Sequence, residues 1–242
     1  MADYSFKPSW RASALFVTGF ILFIALAMWQ LGRAEEKQAL IDLRWQQEQE
    51  APLRVTDGDS IDPRLMRYRV VMLEGDYDVE HQFLVDNQIH DQRPGYHVLT
   101  PLRLANGTAV LVNRGWVPQG RDRTERPDIR ISQPHVRLLG AVDLLYRVGF
   151  RLKGAEIPGS GWPSLLLTPE PGPISERLAY PVSPYQVLLS PAAEEGYVRA
   201  WHEVSLDPGR NQGYALQWFL FALCALVLYV RHALNNRAHH SS

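Results

Sequence analysis

The residues with the most chemical character sit at the head of an apolar stretch. Asn211, Gln212, Tyr214, Gln217 and Trp218 crowd the first two turns of "NQGYALQWFLFALCALVLYV", which runs from Asn211 to Val230. Polar and aromatic groups crowded at the head of a stretch apolar enough to cross a bilayer are where any chemistry of that stretch would lie. The same residues also suit a structural role. Asn211 follows an Asp207-Pro208-Gly209 turn and is a good helix N-cap, and Tyr214 with Trp218 belongs in the belt where a bilayer meets water.

A second candidate is Arg114, in "NRGWVPQGRDRTERPDIR". Downstream of it Arg121, Arg123, Arg126 and Arg130 alternate with Asp122, Glu125 and Asp128, and such mixed signs read as a solvated loop. Arg114 itself, placed after a strand and before Gly115-Trp116, can instead form a carboxylate-binding corner, since a guanidinium fork meets a carboxylate with two parallel hydrogen bonds. His81, His90, His97, His135 and His202 are scattered through the central region. A lone imidazole can hold haem iron, but no spacing selects one of them. His202-Glu203 opens like a zinc-protease helix, yet Leu206 stands where the second histidine is required. "GSGWPS" lacks the third glycine of a dinucleotide fingerprint, and neither a phosphate loop nor a Gly-x-Ser-x-Gly elbow occurs. Cys224 is the only cysteine, which leaves no disulfide, thiolate metal site or redox pair for the central region. These patterns point away from an enzyme.

The elements that must position these residues begin with two spans. With 46% hydrophobic residues and a formal charge of -1, the chain is neither an acidic disordered tail nor a basic nucleic-acid binder. No charged residue lies between Arg11 and Arg33, nor between Arg210 and Arg231, and each gap holds about 20 residues, the length of a membrane-crossing helix. Trp10 and Trp29 bracket the first run about 28 Å apart as a helix, close to one bilayer core. A cleaved signal peptide is the rival reading of that run, with Lys7 and Arg11 as its charged start and Ala25-Leu26-Ala27 as its cleavage site. Two spans put both termini on one side, but basic residues flank the spans on both sides, so charge alone does not choose which.

Between the spans, "LGRAEEKQALIDLRWQQEQE" is rich in helix formers and should extend the first helix until Ala51-Pro52 stops it. Beyond it, "RYRVVMLEGDYD", "HQFLVDN", "GYHVLTPLRL", "TAVLVNRGWV", "HVRLLGAVDLL", "YQVLLS" and "GYVRAWHEVSL" read as strands. Asn106-Gly107 predicts a tight hairpin over Gly95 to Val117 through a turn of positive φ angles. Residues 149–184 are dense in Gly and Pro and read as mostly loop. The expected boundaries are a terminus over 1–11, a span over 12–32, a membrane-proximal helix over 33–51, a β-rich domain over 52–210, a span over 211–230 and a terminus over 231–242. The fold class is a membrane protein of α+β type, with two transmembrane helices flanking a mainly antiparallel, barrel- or sandwich-like β domain.

Five strings in this order, "WQLGRAEEK", "VDNQ", "GYHVLTPLRLANG", "VLVNRGWVPQGR" and "GYALQWFLFALCALV", resemble the surfeit locus protein 1 family of cytochrome c oxidase assembly factors. The resemblance covers both spans and most of the central domain. It implies a protein of the bacterial inner membrane, with both ends cytoplasmic and the central domain periplasmic. It also implies a role in maturing the core subunit of a haem-copper oxidase, with haem a received from haem a synthase, held transiently and passed on. The family's haem ligand is a histidine in a His-Leu-x-Tyr-Ala pattern, and aligning Tyr214-Ala215 on it puts Asn211 at that position. An amide is a poor ligand for haem iron, so the axial ligand is not carried over, and Tyr214 or His202 stand as substitutes. Two readings follow. In one, Tyr214, Gln217 and Trp218 face haem a together with Trp29 on the first span, with Arg114 as a separate carboxylate anchor. In the other the protein is a non-haem module that docks on oxidase subunits through its spans and through Trp116, Trp162 and Trp201.

Overall fold

The computed structural model describes residues 9–55, 62–120, 125–145, 154–201 and 207–235. They form two compact units, Met1–Asp42 with Ser205–Ser242, and Leu43–Val204. The first holds most of the two long apolar helices, and the second holds the sheet with a short helix.

Helix α1 runs unbroken from Trp10 to Gln49. Its 40 residues make about 60 Å, twice the thickness of a bilayer core, and it stops just short of Ala51-Pro52. Helix α3 runs from Pro208 to Asn235. Both are long and apolar enough to cross a membrane, and only 6% and 11% of their apolar windows are buried within the protein. Leu15, Ile21, Leu22, Leu216, Phe221 and Leu228 all lie on the outside. Apolar surface on this scale needs lipid around it rather than water.

The two helices pair in antiparallel fashion. Ser13 Oγ meets the Tyr229 hydroxyl at 2.7 Å, Phe16 stacks on Tyr229 at 4.3 Å, and Phe23 lies 5.9 Å from Trp218. Ala27, Ala34, Ala215 and Ala222 are buried at 3% exposure or less. Small side chains seven residues apart on each helix let the backbones approach closely, which is how helices gain packing energy in lipid.

The sheet contains β1 (Leu53–Arg54), β2 (Val70–Tyr77), β3 (Phe83–His90), β4 (Arg93–Arg103), β5 (Ala109–Pro118), β6 (His135–Leu144), β7 (Ser164–Leu166) and β8 (Val182–Leu189), with helix α2 (Pro171–Leu178) between β7 and β8. Its order is β1-β2-β6-β8-β5-β4-β3-β7, and β2 pairs again with β4. That second pairing, Asp76 opposite Arg103 and Tyr77 opposite Leu102, closes β2-β6-β8-β5-β4 into a five-stranded barrel. Pairing is antiparallel except for β1–β2, β3–β7 and β5–β8. Alternate residues fill the barrel: Val71, Leu73 and Tyr77 from β2, Val110 and Val112 from β5, Tyr185, Val187 and Leu189 from β8. Strand β5 is buried on both faces because its outer residues Ala109 and Leu111 join Phe83, Leu99, Ile174 and Leu178 in a second core under α2. An apolar run such as "AVLV" is what a strand covered on both sides requires.

Several expectations change in detail. The Gly95–Val117 hairpin is present as β4–β5, but of Asn106 and Gly107 only Gly107 has positive φ, at 85°. Gly107 N–H donates to Leu104 C=O and Leu104 N–H to Thr108 C=O, so the connection is a three-residue loop ending in a left-handed glycine. The Gly/Pro-rich segment, whose residues 149–153 lie outside the described set, is irregular over much of its length, yet it contributes β7, α2 and the start of β8. In "GYVRAWHEVSL" the described residues form a single bridge, Val198 to Trp116, rather than a strand; residues 202–206 are outside the described set.

Candidate functional site

The head of α3 is fixed by its own sequence. Pro208 sits in the first turn, and the Asp207 carboxylate accepts a hydrogen bond from Arg210 N–H at 3.2 Å, so Asp207 rather than Asn211 caps the helix. Asn211, one turn in, reaches α1 instead. Its Oδ1 accepts from Lys37 Nζ at 2.6 Å and its Nδ2 donates to Gln30 Oε1 at 2.7 Å. Lys37 also donates to the Asp207 carbonyl at 3.3 Å. Both faces of the Asn211 amide are therefore occupied by the helix pair.

The other residues singled out at this end behave differently. Trp218 is half-buried against Phe23 and Phe221. Tyr214 and Gln217 are exposed, and the Arg210 guanidinium lies 5.9 Å from the Tyr214 ring. Trp29 is 58% exposed. The structure thus brings Asn211 and Trp218 to α1 and leaves Tyr214, Gln217 and Trp29 on the outer surface.

Arg114 is not after a strand but inside one. Between the pairs Leu99–Asn113 and His97–Trp116 the register shifts, so Arg114 and Gly115 together face Val98 in a β-bulge. Bulges re-aim side chains. Gly115 takes φ 120°, and a Cβ there would stand 2.8 Å from Val198 O. The Asn113 side chain accepts from Gly115 N–H at 3.2 Å and donates to Gln186 at 3.2 Å, and Trp116 Nε1 donates to Gln88 O at 3.0 Å. With the bulge held on both sides, Arg114 is only 3% exposed. Its Nη1 donates to Gln82 Oε1 (3.3 Å) and Ile129 O (3.2 Å), and its guanidinium lies between the rings of Tyr77 and Tyr197.

These strings, Asn113 to Trp116 and the polar head of α3, lie within the part of the chain that a model of the SURF1 family matches, residues 17–223. The chain belongs to the SURF1 family. It is similar to a SURF1-like protein of Dictyostelium discoideum, 30% identical over 104 residues, which are 40% of this chain and 38% of that one. It is also similar to a Surfeit locus protein 1 of Arabidopsis thaliana, 29% identical over 122 residues, 46% of this chain and 34% of the relative. The matched stretch is thus well under half the length of either relative.

For a SURF1 family member the question is whether haem fits at Asn211. It does not fit as an axial ligand there, because an amide is not among the groups that hold haem iron and both its polar atoms are engaged by Gln30 and Lys37. Of the substitutes, Tyr214 is exposed beside Arg210, and His202 lies outside the described residues. The described histidines of the β domain are each built into a local contact: His81 on Asp78, His135 on Asp76, His90 beside Trp116, His97 beside Asn113 and Trp201. Among the described residues no three of His, Cys, Asp and Glu gather as a metal site.

The sequence did not single out Asp78, which is tied to both Tyr180 (2.7 Å) and His81 (2.8 Å). Burial opposes its charge, but these two hydrogen bonds prevail and hold its carboxyl below the usual range. Gln30 and Lys37 were missed as partners of Asn211, although the polar Gln30 and the nearby Lys37 at the end of an apolar run were signals in plain view.

Proposed function

We propose that this membrane protein assists assembly of a haem-copper cytochrome c oxidase, acting mainly as a docking module for the oxidase core subunit. The observation that carries the docking reading is the engagement of Asn211: the residue at the expected ligand position is an interhelical pin. Membership in the SURF1 family and the pairing of two membrane helices with a β-barrel domain support the broader role. We assign the protein to the bacterial inner membrane with the β domain periplasmic. The exposed Trp29, Tyr214 and Gln217 favour a second reading, transient contact with haem a supplied by haem a synthase, with lipid or a partner covering the same surface otherwise.

Deletion of the gene should lower oxidase assembly while haem a synthesis and total haem a stay normal. Protein extracted from membranes that make haem a, with haem a synthase co-expressed, should show no haem absorbance band. A stoichiometric band in the unaltered protein would overturn the docking reading in favour of haem delivery. A band gained only by Asn211→His would locate the position at which a ligand has been replaced. For orientation, Asn106→Cys in a Cys224→Ala background should react with an impermeant maleimide in intact spheroplasts. Protection until the membrane is lysed would place the β domain on the other side.

A further inference from the structure

The bulge that buries Arg114 also places it in the lining of a pocket of 390 Å³ between β2, β6 and the segment after β8. Tyr77, Leu138 and Leu189, all inner-face residues of the barrel, line it with Arg114, and Gln133 and Ala192 complete its rim. A guanidinium keeps its proton even when buried, so this is a fixed positive charge withdrawn from water. Its acceptors Gln82 and Ile129 are neutral and both bond to Nη1, and the Tyr197 phenol, also neutral, hydrogen-bonds the guanidinium as well. Among the described residues no carboxylate pairs with it. Of the basic side chains at the pocket, Arg137 is paired with Glu74 at 2.9 Å and the His135 ring bonds to Asp76 at 2.9 Å. The two tyrosine rings attract the cation, but neither they nor the neutral acceptors cancel its charge, which a bound anion would.

We propose that this pocket binds the carboxylate of an apolar monocarboxylate, gripped by Arg114, with Leu138, Leu139 and Leu189 as the wall for its apolar body. The inference concerns the β domain alone and stands whether or not the helices contact haem. Charge sets the class of ligand. Glu194 and Glu195 also line the pocket, so a doubly charged phosphate or phosphonate meets about twice the repulsion that a single carboxylate does. Tyr77 stays a neutral donor, because burial pushes its phenol up to about 12 and Glu195 adds to this, against the opposing effect of Arg114. The same chemistry has two sources, a free small acid or the C-terminal carboxylate of a polypeptide ending in apolar residues.

The full chain in detergent is titrated calorimetrically with 3-phenylpropionate, its amide, 2-phenylethylphosphonate, and N-acetyl-Ala-Leu-Leu as acid and as amide. The acids should bind saturably and at least ~10-fold more tightly than the amides, as a charge-assisted contact requires, and the phosphonate should bind more weakly than phenylpropionate. Arg114→Met should abolish the preference for acid over amide. Ala192→Trp, a change at the exposed rim that leaves the bonds of Arg114 intact, should block binding. Tighter binding of the peptide acid identifies a chain terminus as the source, and tighter binding of phenylpropionate identifies a free acid. Equal binding of acid and amide, no binding of either, or unchanged binding in Ala192→Trp would overturn the proposal. Should Arg114→Met fail to fold, the acid–amide pair and Ala192→Trp decide it.

Discussion

Asn211 accepts from Lys37 and donates to Gln30, and that pair of bonds gives an amide a physical task where the resemblance expects an iron ligand. Polar pins between membrane helices contribute modestly, since the separated helices find other partners. Asn211→Ala should therefore weaken the helix pair by about 1 kcal/mol, read as a lower midpoint in denaturation from mixed micelles, whereas Asn211→Asp should retain the bond to Lys37. His97 carries a different residue-scale consequence. Burial first, and the neighbouring His90 second, lower its pKa from 6.5 to about 4. Between those values the unfolded chain binds more protons than the folded one, so stability is complete above pH 6.5 and declines as pH falls through about 4. Unfolding midpoints at pH 7 and pH 5 should show the loss, and His97→Gln should shrink it.

At the scale of elements, the turns show where local sequence suffices. Asn106-Gly107 predicts a hairpin, and the hairpin is there, with the glycine in a bulge rather than in a two-residue turn. The two-residue turn falls instead at Asp91-Gln92, where φ is 47° and 61° with no glycine at either position. Nothing in "HDQRPG" advertised it; the pairing of β3 with β4, His90 opposite Arg93, imposes it. Because Gln92 holds a conformation that suits glycine, Gln92→Gly should stabilise the domain by about 0.5–1 kcal/mol, measured by chemical denaturation. Helix α2 tells the complementary story. Its sequence "PGPISERL" looks like loop, but Pro is welcome in a first helical turn, and burial of Ile174 and Leu178 under the sheet stabilises eight residues that would not hold as a helix alone.

For the whole molecule, the decisive event is the closure of the barrel. Strand β2 must pair with β6 along most of its length and then turn to meet β4 at Asp76 and Tyr77. Gly75 stands at that departure, and a Cβ there would run into the Arg103 carbonyl and the Leu102 side chain. Gly75→Ala should destabilise the β domain by roughly 2–4 kcal/mol, with the near-ultraviolet circular dichroism of the barrel tyrosines lost at a lower temperature. The apolar spans, the extension of α1 to Gln49, six of the strands and the family itself were legible in the sequence, because each depends on composition or on a pattern within one segment. Closure, the parallel β5–β8 pairing, the bulge that withdraws Arg114 from water and the partners of Asn211 were not. Each depends on which residues meet across long separations in the chain, and only the tertiary structure brings Arg114 to Gln82 and Ile129, or Asn211 to Gln30 and Lys37.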